Sequence, residues 1–243
     1  SDVWPLFHSY AFDFSVWEMW GAFFHGGTLL IVPRELACST FDFYHFIKQQ
    51  GVTVLNQTPG AFYQLIEVDQ QLNHQLDLKH VILCGDKLSP NLLRPWYQHY
   101  QDTAPTIVNM YGPTETTVLA TIRAMSISDT DSSGNSPIGR PLDHLSIYLL
   151  DEKKQPVMHG VPGEIYIAGD GVARGYLNRP ELNAEYFSRL VQLSDQRMYR
   201  SGDMAIQDES GELLYIGRID KQVKIRGYRI ELGEIQTVLS RHP

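Results

Sequence analysis

Several short stretches of this chain bring together the side chains that phosphate chemistry needs. Asn109-Met110-Tyr111-Gly112-Pro113-Thr114-Glu115 follows an apolar, strand-like run and leads toward a helix-like one. Amides at a helix start can hold a phosphate, and a carboxylate beside them can hold Mg²⁺ through its oxygens. The same residues also make an ordinary tight turn, with Thr114 capping the helix and Glu115 favoured by the helix dipole. Tyr199-Arg200-Ser201-Gly202-Asp203 and Gly217-Arg218-Ile219-Asp220 share a logic. A carboxylate can take two hydrogen bonds from a ribose diol, and a guanidinium can neutralise phosphate. Taken singly, each is a turn with a surface charge.

A different chemistry, recognition of an amine, is available in Phe12-Asp13-Phe14-Ser15-Val16-Trp17-Glu18. Ser15-x-x-Glu18 reads as a capping box at a helix start. That leaves Asp13 unexplained between two phenylalanines. A carboxylate in apolar surroundings needs a cationic partner or a shifted pKa, and a substrate ammonium group is such a partner. The glycine-rich run from Gly169 to Gly175 has the spacing GxGxxxG and lies outside the parallel βαβ region. A dinucleotide reading is therefore rejected in favour of a turn or bulge with glycines at positive φ. Residues 222–230 form a basic alternating strand, followed by an acidic helix.

The elements that must position these residues alternate in the first half. Thr28–Pro33 reads as a buried strand, residues 41–50 as a helix with Phe43, Phe46 and Ile47 on one face, and Val52–Asn56 as a second strand. Thr58-Pro59 and Ser89-Pro90 look like N-caps with proline in the first turn, and His80–Cys84 and Thr106–Met110 are further strands. Such alternation implies a mainly parallel sheet with packed helices, whose ligands sit beyond the carboxyl ends of the strands. A Ser/Asp/Gly-rich joint at Ser126–Asn135 precedes short strands at 146–150, 164–168, 203–207 and 213–216, the pattern of an antiparallel or barrel-like unit. A last helix is expected over 231–242. The expected fold is α/β, with the β-rich barrel-like unit following and the start of a small C-terminal α+β subdomain. The boundaries fall at 1–125, 126–219 and 220–243.

The 243 residues carry 20 Lys and Arg against 28 Asp and Glu, a net charge of −8 that argues against sequence-independent nucleic-acid binding. Two distant cysteines, Cys38 and Cys84, read as reduced thiols of a cytoplasmic protein rather than a disulfide or zinc framework. No apolar run reaches membrane-spanning length. The absence of an initial Met and the ending at Pro243 suggest an excerpt.

The motifs occur in a fixed order: FDFSVWE, NMYGPTE, GEIYIAGDGVARGYLNRPE, YRSGD and GRIDKQVKIRGYRIELGEI. Together they resemble the core motifs of nonribosomal peptide synthetase adenylation domains, in the adenylate-forming superfamily, over essentially the whole chain. The resemblance implies that ATP and an amino acid give an aminoacyl-adenylate and pyrophosphate, with Mg²⁺. The acyl group then passes to the phosphopantetheine of a peptidyl carrier domain. Neighbouring synthetase domains are the other partners that it implies; a small activator protein is a further candidate, whose need the sequence does not reveal.

Carried onto this sequence, the resemblance places the substrate ammonium on Asp13. Tyr111 stacks on adenine with Asn109 near its amino edge, and Gly85 and Asp86 line the other side of the base. Gly112 belongs to the nucleotide site, Thr114 touches the α-phosphate, and Glu115 binds Mg²⁺. Asp203 grips the ribose with Arg218 nearby, and Tyr215 lies close to the adenine. Asp220 is a hinge, and Lys224 and Gly227 face the site in the thioester-forming orientation. Two departures accompany this: the family's phosphate loop with its lysine falls before Ser1, and its distal catalytic lysine falls beyond Pro243, so the excerpt alone is expected to be inactive. Ser201 stands where threonine is usual.

The same resemblance lines the side-chain pocket with Asp13, Phe14, Trp17, Asn56, Ile82, Cys84, Met110, Val118 and Leu119. The set is similar to threonine-activating pockets, except that Cys84 replaces a typical glycine and Leu119 a typical histidine. Threonine is expected first, with valine or 2-aminobutyrate as close competitors. The alternative is that both differences are packing variation. The competing functions are an acyl- or aryl-CoA ligase, which has no reason to place a carboxylate at Asp13, and a non-catalytic nucleotide-binding remnant.

Overall fold

The computed structural model describes residues 1–73, 75–101, 105–131, 134–219, 222–225, 228–230, 235 and 238–239. The chain opens with strand β1 (Val3–Leu6), helix α1 (Phe14–Phe24) and strand β2 (Thr28–Ile31), which pairs in parallel with β1. The apolar run at 28–33 is not a buried strand. Leu29 and Leu30 are half-buried and Ile31 is 67% exposed, because β2 is hydrogen-bonded to β1 alone among the described residues. Periodicity reports an apolar strand but not whether a neighbour covers it.

Helices α2 (Arg34–Ala37) and α3 (Thr40–Gln49), strand β3 (Val54–Gln57), helix α4 (Pro59–Leu72), strand β4 (His80–Leu83), helix α5 (Arg94–Tyr100) and strand β5 (Thr106–Tyr111) follow. Strands β3, β4 and β5 are parallel and in register, Asn56 opposite Ile82 and Leu83 opposite Asn109. Phe43, Tyr44, Ile47, Phe62, Leu65 and Trp96 carry the helices onto this sheet. Thr58 caps α4 as expected, its hydroxyl accepting from the Ala61 amide. Ser89 does not cap. A 3₁₀ turn, Pro90–Leu93, precedes α5, and the Tyr63 hydroxyl accepts from the Ser89 amide at 2.7 Å.

Strand β6 (Thr121–Ala124) turns back antiparallel to β5, and β7 (Ser136–Pro141), β8 (Leu145–Leu150) and β9 (Gly163–Gly169) continue the chain. Helix α6 (Pro180–Tyr186), β10 (Phe187–Ser188), β11 (Met198–Gln207) and β12 (Leu213–Arg218) complete the β-rich part. One ten-stranded sheet joins both halves in the order β3-β4-β5-β6-β7-β12-β11-β9-β8, with β10 paired to β11. The glycine-rich run leaves β9 as a turn, with Gly169 and Gly175 at φ 125° and 131°. Beyond it, β13 (Val223–Ile225) and β14 (Tyr228–Ile230) pair antiparallel, so the expected single basic strand is two. Of the expected helix at 231–242, residues 235, 238 and 239 are helical and the rest lie outside the described residues, as do Asp220 and Gly227. No helix of the described residues is long and apolar enough to cross a membrane.

Candidate functional site

Two adjoining cavities lie beyond the carboxyl ends of β4 and β5, where a parallel sheet places its ligands. The larger, of about 290 Å³, is bordered by Gly85, Asp86, Asn109, Tyr111 and Gly112 from the parallel half, and by Ser136, Tyr215 and Arg218 from the antiparallel half. The smaller, of about 70 Å³, is bordered by Asp13, Phe14, Thr114, Val118 and Asp203. Cys84, Gly85, Gly112, Arg218 and Gln222 border both. Gly112 is required by the approach of its own chain, since a Cβ there would strike the Val118 carbonyl oxygen.

The expected helix after Glu115 is a three-residue 3₁₀ turn, Thr114–Thr116, and Thr114 makes no cap. Thr117 and Val118 follow at φ 65° and 70°, unusual for β-branched residues, and return the chain into β6. Strain of this kind concentrates at functional sites. Glu115 is 6% exposed, and its Oε1 accepts from the Tyr176 hydroxyl at 2.6 Å.

Asp203 joins the two halves of the sheet. Its carboxylate accepts from the hydroxyls of Tyr111 at 2.7 Å and Tyr215 at 3.2 Å, and from Arg218 Nη1 at 3.0 Å. The Tyr111 and Tyr215 rings lie 6.0 Å apart at 35°. Burial first, and the Asp203 charge second, push both tyrosine pKa values up, so both hydroxyls remain donors. Asn109 donates from Nδ2 to the Pro137 carbonyl at 2.7 Å, fastening β5 to β7.

The capping box is not formed. Asp13 already has helical dihedrals and stands at the N-cap of α1 without a side-chain cap bond, which puts Ser15 inside the helix. Glu18 turns to His8 instead, accepting from its amide at 3.1 Å and lying 2.8 Å from its Nδ1. Asp13 borders the smaller cavity.

Phe14, Ile82, Cys84, Met110 and Leu119 are buried members of one apolar cluster, with Trp17 and Val118 packed against it. Asn56 is fully buried, and its Oδ1 accepts from Trp17 Nε1 at 2.9 Å. The Asn56 Nδ2 has no hydrogen-bond partner among the described residues. Trp17, Asn56, Ile82 and Leu119 stand behind the cavity walls rather than bordering either space. Lys224 is placed only by its backbone, opposite Arg229 in the β13–β14 pair. Sequence reasoning missed Tyr176 and the buried Gln222. Tyr176 sits in one of the ordered motifs, but its partner is 61 residues away, which no local pattern reveals.

The residues present fit a nucleotide and Mg²⁺. The larger cavity is flanked by the Tyr111 and Tyr215 rings, whose hydroxyls both donate to the buried Asp203; that carboxylate borders the adjoining smaller cavity and can accept hydrogen bonds from a diol. Glu115 borders neither cavity but follows Thr114, which borders the smaller one; it offers one carboxylate, and Mg²⁺ commonly takes one or two and completes its shell with substrate phosphates and water.

The model of the family described as AMP-binding enzyme matches residues 1–177. A dimodular nonribosomal peptide synthase of Bacillus subtilis (strain 168) is 47% identical over 251 aligned positions, covering 100% of this chain and 10% of the relative. The chain thus spans about a tenth of that relative's length. Holo-PA1221, a nonribosomal peptide synthetase protein with adenylation and carrier domains bound to a vinylsulfonamide inhibitor, superposes with a TM-score of 0.88 at 29% identity, covering 100% of this chain and 42% of that one. The Vibrio cholerae adenylation domain AlmE, in complex with glycyl-adenosine-5'-phosphate, superposes with a TM-score of 0.85 at 29% identity, covering 99% and 45%.

Proposed function

This chain belongs to the AMP-binding enzyme family, and on that premise we propose that it activates an amino acid with ATP for nonribosomal peptide synthesis. A carboxylate oxygen of the substrate attacks the α-phosphorus, the bond to pyrophosphate breaks, and an aminoacyl-adenylate forms. The observation that carries this reading is the position of Asp13. Asp13 borders the same small cavity as Thr114 and Asp203, and that cavity adjoins the tyrosine-flanked one. An ammonium on Asp13 sets the substrate carboxylate toward the α-phosphate near Thr114. In-line attack needs positioning and charge neutralisation more than a protein nucleophile.

In this reading Tyr111 and Tyr215 flank the adenine, with Asn109, Gly85, Asp86 and Gly112 around it. Asp203 accepts from the ribose hydroxyls while Arg218 holds it. Glu115 would hold Mg²⁺, which would spread the charge that develops on the phosphates. The acyl group then moves to a carrier domain. The phosphopantetheine sulfur attacks the carbonyl carbon and AMP leaves, with Lys224 and Gly227 facing the site. Asp220 is the hinge between the two orientations, at the boundary of units 1–125 and 126–219 with 220–243. The glycyl-adenylate bound in the AlmE structure supports the amino-acid assignment, and the carrier domain in PA1221 supports the acceptor. Two cysteines that form no disulfide support a cytoplasmic setting.

The substrate is threonine, or a side chain of similar size. The support is the bulk of Phe14 and Met110, which border the cavities, backed by Trp17 and Ile82 in the same apolar cluster, and the buried Asn56 Nδ2 behind them, a donor for a hydroxyl that reaches past the cavity wall. A site that hydrogen-bonds a hydroxyl rejects its methyl analogue more strongly than an apolar pocket separates isosteres. ATP–pyrophosphate exchange by the full-length protein, scanned over amino acids and aryl acids, tests both levels. Exchange with threonine ahead of valine and 2-aminobutyrate is expected. Preference for phenylalanine or a charged side chain removes the pocket reading alone. Exchange only with amine-free acids removes the role of Asp13.

A further inference from the structure

We propose that Tyr176 is a positioning residue for Glu115, and that the segment from Gly171 to Asn183 braces it. The inference rests on the reading of Glu115 as the Mg²⁺ ligand. Glu115 lies in a turn of three residues, too short to fix a long side chain by itself. The Tyr176 hydroxyl supplies what the turn lacks, donating to Oε1 at 2.6 Å. A hydrogen bond from a hydroxyl to a carboxylate is among the short, strong ones. Holding one oxygen sets the plane of the carboxylate and so the direction of the other.

The backbone around this bond is laced on both sides. The Ala173 amide donates to the Glu115 carbonyl at 2.8 Å, and the Thr117 hydroxyl donates to the Gly171 carbonyl at 2.7 Å. Tyr176 is itself clamped by one side chain, since Asn183 accepts from its amide at 2.6 Å and donates to its carbonyl at 2.8 Å. Gly175 permits this approach, because a Cβ there would run into the Asn183 amide group. The Tyr176 ring packs edge-on against Phe187, with centroids 5.4 Å apart. Helix α6 thus reaches the turn through Asn183 and Tyr176 without bordering either cavity. Partners that orient a metal ligand commonly tune metal affinity 10- to 100-fold.

The test titrates Mn²⁺ into the full-length protein with α,β-methylene ATP, followed by electron paramagnetic resonance, for wild type, Tyr176→Phe, Asn183→Asp and Glu115→Gln. Tyr176→Phe removes one oxygen and keeps the ring. Asn183→Asp removes the donor to the Tyr176 carbonyl and keeps the shape. Both are expected to weaken Mn²⁺ binding by about 10-fold. The KM for the amino acid should stay within about twofold, because Asp13 is untouched. Thermal melts of each variant separate this from misfolding, which would move both constants together. Loss of Mn²⁺ affinity in Glu115→Gln with none in Tyr176→Phe overturns the positioning role alone. Unchanged affinity in Glu115→Gln overturns the metal reading, and this inference with it.

Discussion

Two buried aspartates in this molecule have nearly the same surroundings and opposite prospects. Asp69 and Asp203 are 1% and 2% exposed. Each accepts hydrogen bonds from two tyrosine hydroxyls: Tyr44 at 2.8 Å and Tyr100 at 3.0 Å for Asp69, Tyr111 at 2.7 Å and Tyr215 at 3.2 Å for Asp203. Asp69 ties α4 to α3 and α5, with His99 at 3.7 Å, and borders neither cavity. Asp203 ties β5 to the β11–β12 pair, is held by Arg218, and borders the smaller cavity. The same cluster is a helix fastener where packing closes around it, and borders a cavity where two halves of a sheet meet and leave space.

Substitution should separate the two. Asp203→Asn should have the largest effect, lowering amino-acid-dependent pyrophosphate exchange by about 10²-fold or more, as expected for losing a charge that positions substrate. A loss below about fivefold would break the comparison. Next, Tyr215→Phe and Tyr44→Phe each delete one hydroxyl bound to a carboxylate, worth about 1.5–3 kcal/mol. The first should raise the KM for ATP by roughly 10-fold, and the second should lower unfolding free energy while leaving that KM unchanged. Steady-state kinetics and urea unfolding on both variants would show whether the effects cross over.

The smallest effect concerns pH. Burial raises the Asp69 pKa above its ordinary 3.8, against the opposing pull of its tyrosine hydrogen bonds. The folded state therefore binds this proton more readily than the unfolded one. Stability from Asp69 is greatest at low pH and is lost as pH rises from 3.8 through the raised folded value. Wild type should gain stability over Asp69→Asn as pH falls toward 3.8 in parallel urea titrations. The opposite slope would contradict the burial argument. Exchange activity of Asp69→Asn should stay within about twofold of wild type.

The comparison also shows what a sequence makes legible. The strands of the parallel half and the Thr58 cap were readable, because apolar runs and Thr-Pro signals are local. The grouping of Asn109, Tyr111, Asp203, Tyr215 and Arg218 came from the ordered motifs rather than from any one spacing, and the structure brings these residues together. The capping box at Ser15 failed because Asp13 already takes up the helical turn and the distant His8 claims Glu18. The apolar run ending at Ile31 failed because burial depends on which neighbours arrive. Tyr176 was invisible because its partner is reached only through the fold.

In the proposed function Asp203, and not Asp69, belongs to the nucleotide site. Isothermal titration of the full-length protein with threonyl-sulfamoyl-adenosine, a stable mimic of the aminoacyl-adenylate, tests it most directly. Tight binding by wild type and by Asp69→Asn is expected, with a loss of about 10²-fold in Asp203→Asn. Equal affinity in all three proteins would contradict it.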